Sequence, residues 1–440
     1  MLTRLFTLKL HWQILIALAL ATVVGLATGK TGELIGIALL PVYKFVGALF
    51  LNALKMLIVP LVISSMISGM LSIGGTSGLG RLGGKTILYY FTTTLFAVLI
   101  GLVTVQLMSP GYIDGQPVKD IVGLSADSGK VAARVEGHGA GDLFEVFLRM
   151  VPPNVVAAAA QGQMLGLIVF SLLFGYFMTR VQGANGQTLA RFWQGTFEVM
   201  MRITDLVLKF APLGVFGLVA AVVAESGVAV FGPLAWFVLT VLLALLAHFA
   251  IVLPMLLYFI AGVSAYAHYR AMAPALMTAF STASSSATLP VTMECVEKKA
   301  GVSNRVSSFV LPLGATINMD GTALYECVAV LFIAQAYGVT LGFADQFVIV
   351  ILALLTSVGV AGIPAASLVA IVIILERVGL PAEAIGLILA VDRILDMCRT
   401  SVNVFSDSCG AVVVGRLEGE KGILRNMQSS RAARTRRQSR

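Results

Sequence analysis

Near the C-terminal end, Asp392, Asp396, Arg399, Asn403 and Asp407 are spaced so that, at about 100° per residue, they fall at roughly 0°, 40°, −20°, 20° and 60° around a helix. All five share one narrow face, flanked by Ile394, Leu395, Val402, Val404 and Phe405. A solvated face would explain such a stripe in a soluble helix, but among these neighbours a polar seam turned into a bundle is the better reading. Arg399 carries a planar fork that grips a carboxylate with two hydrogen bonds, where Lys would give a point charge. Asp396, one turn earlier, can receive an ammonium. The pair therefore matches a zwitterion with a second carboxylate. Spaced i,i+3, the two could instead pair with each other as a structural salt bridge, a reading that leaves Asn403, Asp407 and Asp320 without a role.

A second constellation is Asn318-Met319-Asp320-Gly321-Thr322, with Gly314 one turn before it and Glu326 one turn after. A carboxylate, an amide and a glycine in an apolar helix require partners that offset their desolvation, and ionisable groups at membrane depth mark functional sites. Asn and Gly together predict local unwinding, which frees the carbonyl oxygens a hard cation prefers.

The elements that carry these residues are built for lipid. Of 440 residues, 58% are hydrophobic and 12% charged, with a mean hydropathy of +0.93, whereas soluble domains carry about 25% charged residues. Apolar segments near 12–29, 41–70, 84–109, 150–178, 191–223 and 230–264 each suffice to cross a bilayer. The run from Ile14 to Thr28 could pass for a signal peptide, but the chain continues as a membrane protein, and we read it as the first spanning helix. Residues 110–145 form a polar loop on one membrane face. The net charge of +8 owes much to Arg431, Arg434, Arg436, Arg437 and Arg440 in the last ten residues. That tail is expected to be cytoplasmic, facing anionic lipid rather than nucleic acid. Cys295, Cys327, Cys398 and Cys409 have neither disulfide nor zinc spacing.

After residue 270 two apolar segments are interrupted. Ala271–Lys299 is broken by Ser281–Pro290, and Phe347–Val378 by Gly359–Ser367. About a dozen apolar residues on either side are too few to span a 30 Å core. Each segment reads as a re-entrant helical hairpin, with a kinked full span as the alternative. Non-helical backbone at membrane depth requires protein or a water-filled cavity around it, and a pair of interrupted segments points to a transporter's binding site. Two rival classes are an intramembrane serine protease, from Gly75-Thr76-Ser77-Gly78 with His248, and a channel lined by the polar tips. The protease motif is short and sits where turn residues are expected anyway.

Four segments in order resemble the dicarboxylate/amino acid:cation symporter family of glutamate and aspartate transporters. They are Ser284-Ser285-Ser286-Ala287-Thr288-Leu289-Pro290, Asn318-Met319-Asp320-Gly321-Thr322, Gly362-Ile363-Pro364, and Asp396-x-x-Arg399-Thr400-x-x-Asn403-x-x-x-Asp407. The resemblance implies an all-α polytopic membrane protein of eight transmembrane helices and two re-entrant hairpins with inverted repeats. It implies a non-enzymatic symporter of L-aspartate or L-glutamate in the plasma membrane, the inner membrane of a bacterium, with sodium as coupling ion, no cofactor and a homotrimeric assembly. A proton-coupled glutamate or C4-dicarboxylate symporter is the alternative, and Asp396 argues against a dicarboxylate without an ammonium. Scaffold helices 1–2 would occupy 1–83 and scaffold helices 4–5 150–229. The transport domain would take helix 3 with its loop, 84–149, and 230–417, leaving 418–440 as the basic tail.

By resemblance, Arg399 binds the side-chain carboxylate and Asp396 the amino group. Asn403, Thr322 and the first tip near Ser285 and Ser286 hold the main-chain carboxylate, Ser284 and Thr400 are further substrate-binding residues, and Gly362 and Ile363 form a gate. Cation sites would use Asp407 with carbonyls at Gly314, Asn318 and Asn403, then backbone at Thr316, Met319, Ser357, Val358 and Val360, then Asp320 and Asn318 with Tyr90, Thr93 and Thr94. The chain departs from the family where an auxiliary arginine often stands, because Ala283 and Met397 occupy those positions. The second tip, Pro364-Ala365-Ala366-Ser367, is also less glycine-rich than in some relatives. The presence of Asp407 favours sodium over protons.

Overall fold

The computed structural model describes residues 10–74, 80–113, 115–118, 148, 150–161, 163–227, 231–359 and 366–424. Apolar chain in lipid must satisfy its own backbone groups, and most of the described residues are helical. In order the elements are α1 (Leu10–Thr28), a two-residue strand pair β1 (Glu33–Leu34) and β2 (Ile37–Ala38), α2 (Leu39–Gly74) and α3 (Gly80–Met108). A second antiparallel pair, β3 (Tyr112–Ile113) and β4 (Gln116–Pro117), opens the polar loop. Then come α4 (Val155–Ala160), α5 (Met164–Met178), α6 (Gly183–Lys209), α7 (Ala211–Ser226), α8 (Phe231–Ala247) and α9 (Leu253–Phe259). The last part holds α10 (Ala265–Thr282), α11 (Ser285–Glu294), α12 (Asn304–Ile317), α13 (Asp320–Ala336), α14 (Phe343–Gly359), α15 (Ala366–Arg377) and the 32-residue α16 (Gly386–Leu417).

By length and composition four described helical stretches can cross a membrane: Leu39–Leu71, Arg81–Met108, Phe231–Ala261 and Asn304–Ala336. The segments α6 and α7 would make a fifth if their pair counts as one span. Two expected spans are interrupted. Over 150–178, Pro152 and Pro153 hold off the helix, and the Asn154 Oδ1 then accepts from Val156 and Ala157 N–H to start the six-residue α4. Over 191–223, α6 and α7 meet at a 53° bend, where Pro212 near the start of α7 can supply no N–H to a continuous helix. Between α8 and α9, a π turn at His248–Val252 turns the buried His248 inward.

The first interruption is narrower than the sequence suggests. Only Ala283, at φ +48°, and Ser284 leave the helix, and the Ser284 hydroxyl caps α11 by accepting from Ala287 N–H. Pro290 lies inside α11. Both α11 and the π turn Cys295–Ala300 that follows it pack against α10. In the second interrupted segment α14 packs on α15, while residues 360–365 fall outside the described residues, as do Gly75–Gly78 and 425–440.

Packing divides the helices into two groups. One joins α1, α2, α5, α6 and α7. Small residues let its backbones approach, since a Cβ on Gly217 would stand 2.8 Å from both Gly47 N and Tyr43 O. The other gathers α3, α8 and α10 to α13 around α16, and α14 and α15 pack on α13. At the end of α16, Lys85 of α3 donates to Leu417 O and Glu418 Oε1, both at 2.6 Å, and Arg305 of α12 lies 3.4 Å from Glu418 Oε2. Glu420 accepts from Ser303 N–H at 3.0 Å and from its hydroxyl.

The hydrogen bond from Lys85, then the charges of Lys85, Arg81 and Arg305, hold the Glu418 carboxyl below its usual range. Its contribution to stability is therefore fully present above the unfolded value of about 4.3 and lost as pH falls through the folded one. Glu418→Gln is expected to lower the thermal midpoint of the purified protein at pH 7, by no more than about 1 kcal/mol for so solvated a cluster. The gap to the native chain should close on acidification; a gap that persists at low pH would show that the charge is not what matters.

Candidate functional site

The helix expected between the two interrupted segments is broken where its polar residues lie. Asn318 (φ −101°, ψ 85°) and Met319 (φ −113°, ψ 60°) are unwound, separating α12 from α13. Asp320 is the first residue of α13, where the helix dipole favours negative charge. It is completely buried and satisfied from three sides: Thr94 Oγ1 of α3 at 2.7 Å, Ser406 Oγ of α16 at 2.6 Å and His248 Nε2 of the π turn at 2.9 Å. Asn318 donates to Asp407 Oδ1 at 2.9 Å and Ser406 Oγ at 3.1 Å, and its own Oδ1 accepts from Thr93 at 3.3 Å and Thr94 at 3.5 Å. The Asp407 carboxylate lies against the Gly314 backbone, so a Cβ there would sit 2.4 Å from Oδ1 and 2.7 Å from the Tyr90 hydroxyl. Tyr90 itself donates to Val310 O at 2.6 Å. The break thus gathers two carboxylates, an amide, hydroxyls of α3 and α16 and the imidazole of the π turn. Among the described residues no three His, Cys, Asp or Glu side chains form a metal-holding set, so a cation here would draw on hydroxyl, amide and carbonyl oxygens beside a carboxylate, as hard cations do.

About two to four turns earlier on α16 than Asp407 lies the charged part of the seam, Arg399, Asp396 and Asp392. Arg399 is buried to 0% exposure. Its Nη2 donates to Asp396 Oδ1 at 2.9 Å, its Nη1 lies 3.2 Å from Asp392 Oδ1, and its guanidinium stacks 3.9 Å over the Tyr325 ring. The pairing of Asp396 with Arg399 that their spacing allowed is therefore present, with Asp392 as an added partner. It leaves the fork incompletely used, because Arg399 Nε and Nη1 donate no hydrogen bond among the described residues. Between the two clusters, Asn403 Oδ1 accepts from Gly321 N–H at 2.7 Å and its Nδ2 donates to Thr322 Oγ1 at 3.1 Å.

Other sequence candidates bond locally. The Thr316, Ser357 and Thr400 hydroxyls donate to Leu313, Leu354 and Asp396 carbonyls of their own helices. Met319 is buried at the break, Ser285 is buried and Ser286 exposed at the first tip. Val358 lies in the last turn of α14, whereas Val360, Gly362 and Ile363 fall outside the described residues. Spacing alone missed His248 and Ser406 as partners of Asp320, and the Glu326 bond from Thr356 at 2.8 Å. A histidine in the middle of an apolar span was the available signal for the first.

Membrane-length helices around a broken helix and a buried, incompletely paired charge seam are the marks of an integral membrane protein of the secondary-transporter kind. The chain belongs to the sodium:dicarboxylate symporter family, whose match runs over residues 10–417. It is 36% identical over 413 residues to a proton/sodium-glutamate symport protein of Bacillus caldotenax, covering 93% of this chain and 95% of the relative. It is 34% identical to the proton/glutamate-aspartate symporter of Escherichia coli (strain K12), covering 93% of each. Human excitatory amino acid transporter 3 is 35% identical, covering 93% of this chain and 86% of its own length.

Because the Asp407 carboxylate occupies the space beside Gly314, Gly314→Ala is expected to destabilise the folded protein by about 1–3 kcal/mol, the usual effect of overpacking. At Gly83, where an added Cβ meets only Phe309 Cζ at 3.7 Å, alanine should be tolerated. Thermal unfolding of the two purified variants side by side makes the comparison, and equal midpoints would mean that the approach of Asp407 to Gly314 imposes no constraint.

Proposed function

We propose that this chain is a secondary active symporter that imports L-aspartate or L-glutamate with sodium by an elevator-type alternating access mechanism, as a homotrimer in a bacterial inner membrane. The observation that carries the reading is Arg399, buried between Asp392 and Asp396, with its Nε donating no hydrogen bond and its Nη1 held only by the ion pair to Asp392 among the described residues. An incoming ammonium replaces the guanidinium at Asp396, and the released fork takes the side-chain carboxylate, so that neither charge is left alone. Asn403, Thr322, Thr400 and the tip serines Ser284, Ser285 and Ser286 then receive the main-chain carboxylate, and Gly362 and Ile363 close over it. Asp407, with Gly314, Asn318 and Asn403, holds one cation. Asp320 and Asn318 with Tyr90, Thr93 and Thr94 hold another, and Thr316, Met319, Ser357, Val358 and Val360 a third.

The architecture we assign is eight spanning helices with re-entrant hairpins at α10–α11 and α14–α15. The two packing groups support a scaffold of 1–83 and 150–229 and a moving domain of 84–149 and 230–417. A proton-coupled carrier is the second reading, favoured by Glu326. This carboxyl is fully buried, accepts only from Thr356 and makes no ion pair among the described residues, so it offers a place for a proton.

Radiolabelled aspartate uptake into liposomes under an imposed sodium or proton gradient decides between them. Sodium-driven uptake is expected, and uptake that ignores sodium but follows the proton gradient overturns the ion assignment. Asp407→Asn should reduce the sodium dependence of aspartate binding by tenfold or more, on the order of 1.4 kcal/mol. By reciprocity aspartate should also tighten sodium binding less in that variant. Arg399→Cys removes the fork and should shift uptake from aspartate toward serine; a variant that still preferred aspartate would return Arg399 to a structural role.

A further inference from the structure

Arg393 stands about 60° round the helix from Asp396 and outside the polar stripe, yet it reaches the seam. Its Nη1 donates to Asp396 Oδ2 at 3.3 Å, the oxygen that Arg399 leaves free. The side chain is only 13% exposed, and its Nε is buried without an acceptor among the described residues. Two carboxylates, Asp392 and Asp396, thus face two guanidinium groups, Arg393 and Arg399, and the charges of these four groups balance.

We propose that Arg393 is a positioning residue that stands in for the substrate's ammonium at Asp396, and so sets how strictly the site requires an amino group. The inference rests on the acidic-amino-acid reading above. When aspartate binds, its ammonium takes over the Asp396 carboxylate: Arg399 leaves Oδ1 for the side-chain carboxylate, as above, and Arg393 gives up Oδ2. When a dicarboxylate without an amino group binds, Arg393 stays and Asp396 remains paired after Arg399 has turned to the ligand. Without Arg393, the amino-free ligand leaves a buried carboxylate with no cation, a heavily penalised state, while aspartate still brings its own.

The test is competition by succinate against radiolabelled aspartate on the purified full-length protein in sodium, with Kd for aspartate measured in parallel. In Arg393→Ala the ratio of succinate Kd to aspartate Kd is expected to rise by about tenfold or more. Arg393→Lys, which keeps a cation in reach, should stay within about threefold of the native ratio. Should the alanine variant fail to fold by thermal unfolding, Arg393→Gln carries the same expectation as Arg393→Ala. If the native chain binds aspartate, a ratio in Arg393→Ala no different from the native one overturns the role of Arg393 alone, as does a lysine variant that behaves like alanine. A native chain that binds no aspartate overturns the acidic-amino-acid reading, and this inference with it.

Discussion

Everything in this fold answers to the cost of holding charge away from water. Asp320, Asp407, Asp392, Asp396 and Arg399 all lie at or below 9% exposure in a chain otherwise made for lipid. Buried pairs seldom repay their desolvation in stability, and replacing them with apolar residues often leaves a protein as stable or more so. Stability alone therefore gives no reason for the seam, which accords with the binding role proposed for it. Its hydrogen bonds support this view, because each carboxylate near the break has neutral donors in place, whereas the Arg399 Nε has no acceptor among the described residues.

The same constraint explains the local backbone. A continuous helix through Asn318 and Met319 would hide their peptide groups and turn Asp320 away from the start of a helix. Ending α12 there and beginning α13 at Asp320 places the carboxylate in a favourable dipole field and opens polar backbone beside it. Gly314 completes the arrangement, since the room it leaves lets the Asp407 carboxylate of α16 reach the broken helix.

Much of this was legible from residue type and period. The lipid-directed composition, the broken Asn318–Thr322 segment and the single face of α16 follow from local rules that need no partner. Features requiring a second element did not emerge. His248 could be seen as a histidine in an apolar span, but the π turn that points it at Asp320 depends on tertiary packing. Arg393 lies off the stripe by helical angle and joins it only because an arginine stem is long enough to reach Asp396. Hydropathy windows of 20 residues likewise passed over the caps and prolines that interrupt 150–178 and bend 191–223, since a window averages over the residue that ends a helix.

Coupling between ions and substrate requires that one state of the protein suit both, and α16 supplies the physical connection. Asp407, Ser406 and Asn403 meet the broken helix at three successive positions along α16, and Arg399 follows one turn beyond. Asn403 holds Gly321 N–H with one end of its amide and Thr322 with the other, so the start of α13 cannot shift along α16 without breaking a buried hydrogen bond. In the proposed reading, a cation bound at Asn318 and Asp407 would hold the same register in which Asn403 bonds Gly321 and Thr322. Because Asp320 is tied to α3 through Thr94 and to the π turn through His248, that register is shared by four elements of one packing group. In that reading, a ligand at either end of the seam would act on the geometry at the other with no contact between ligands needed.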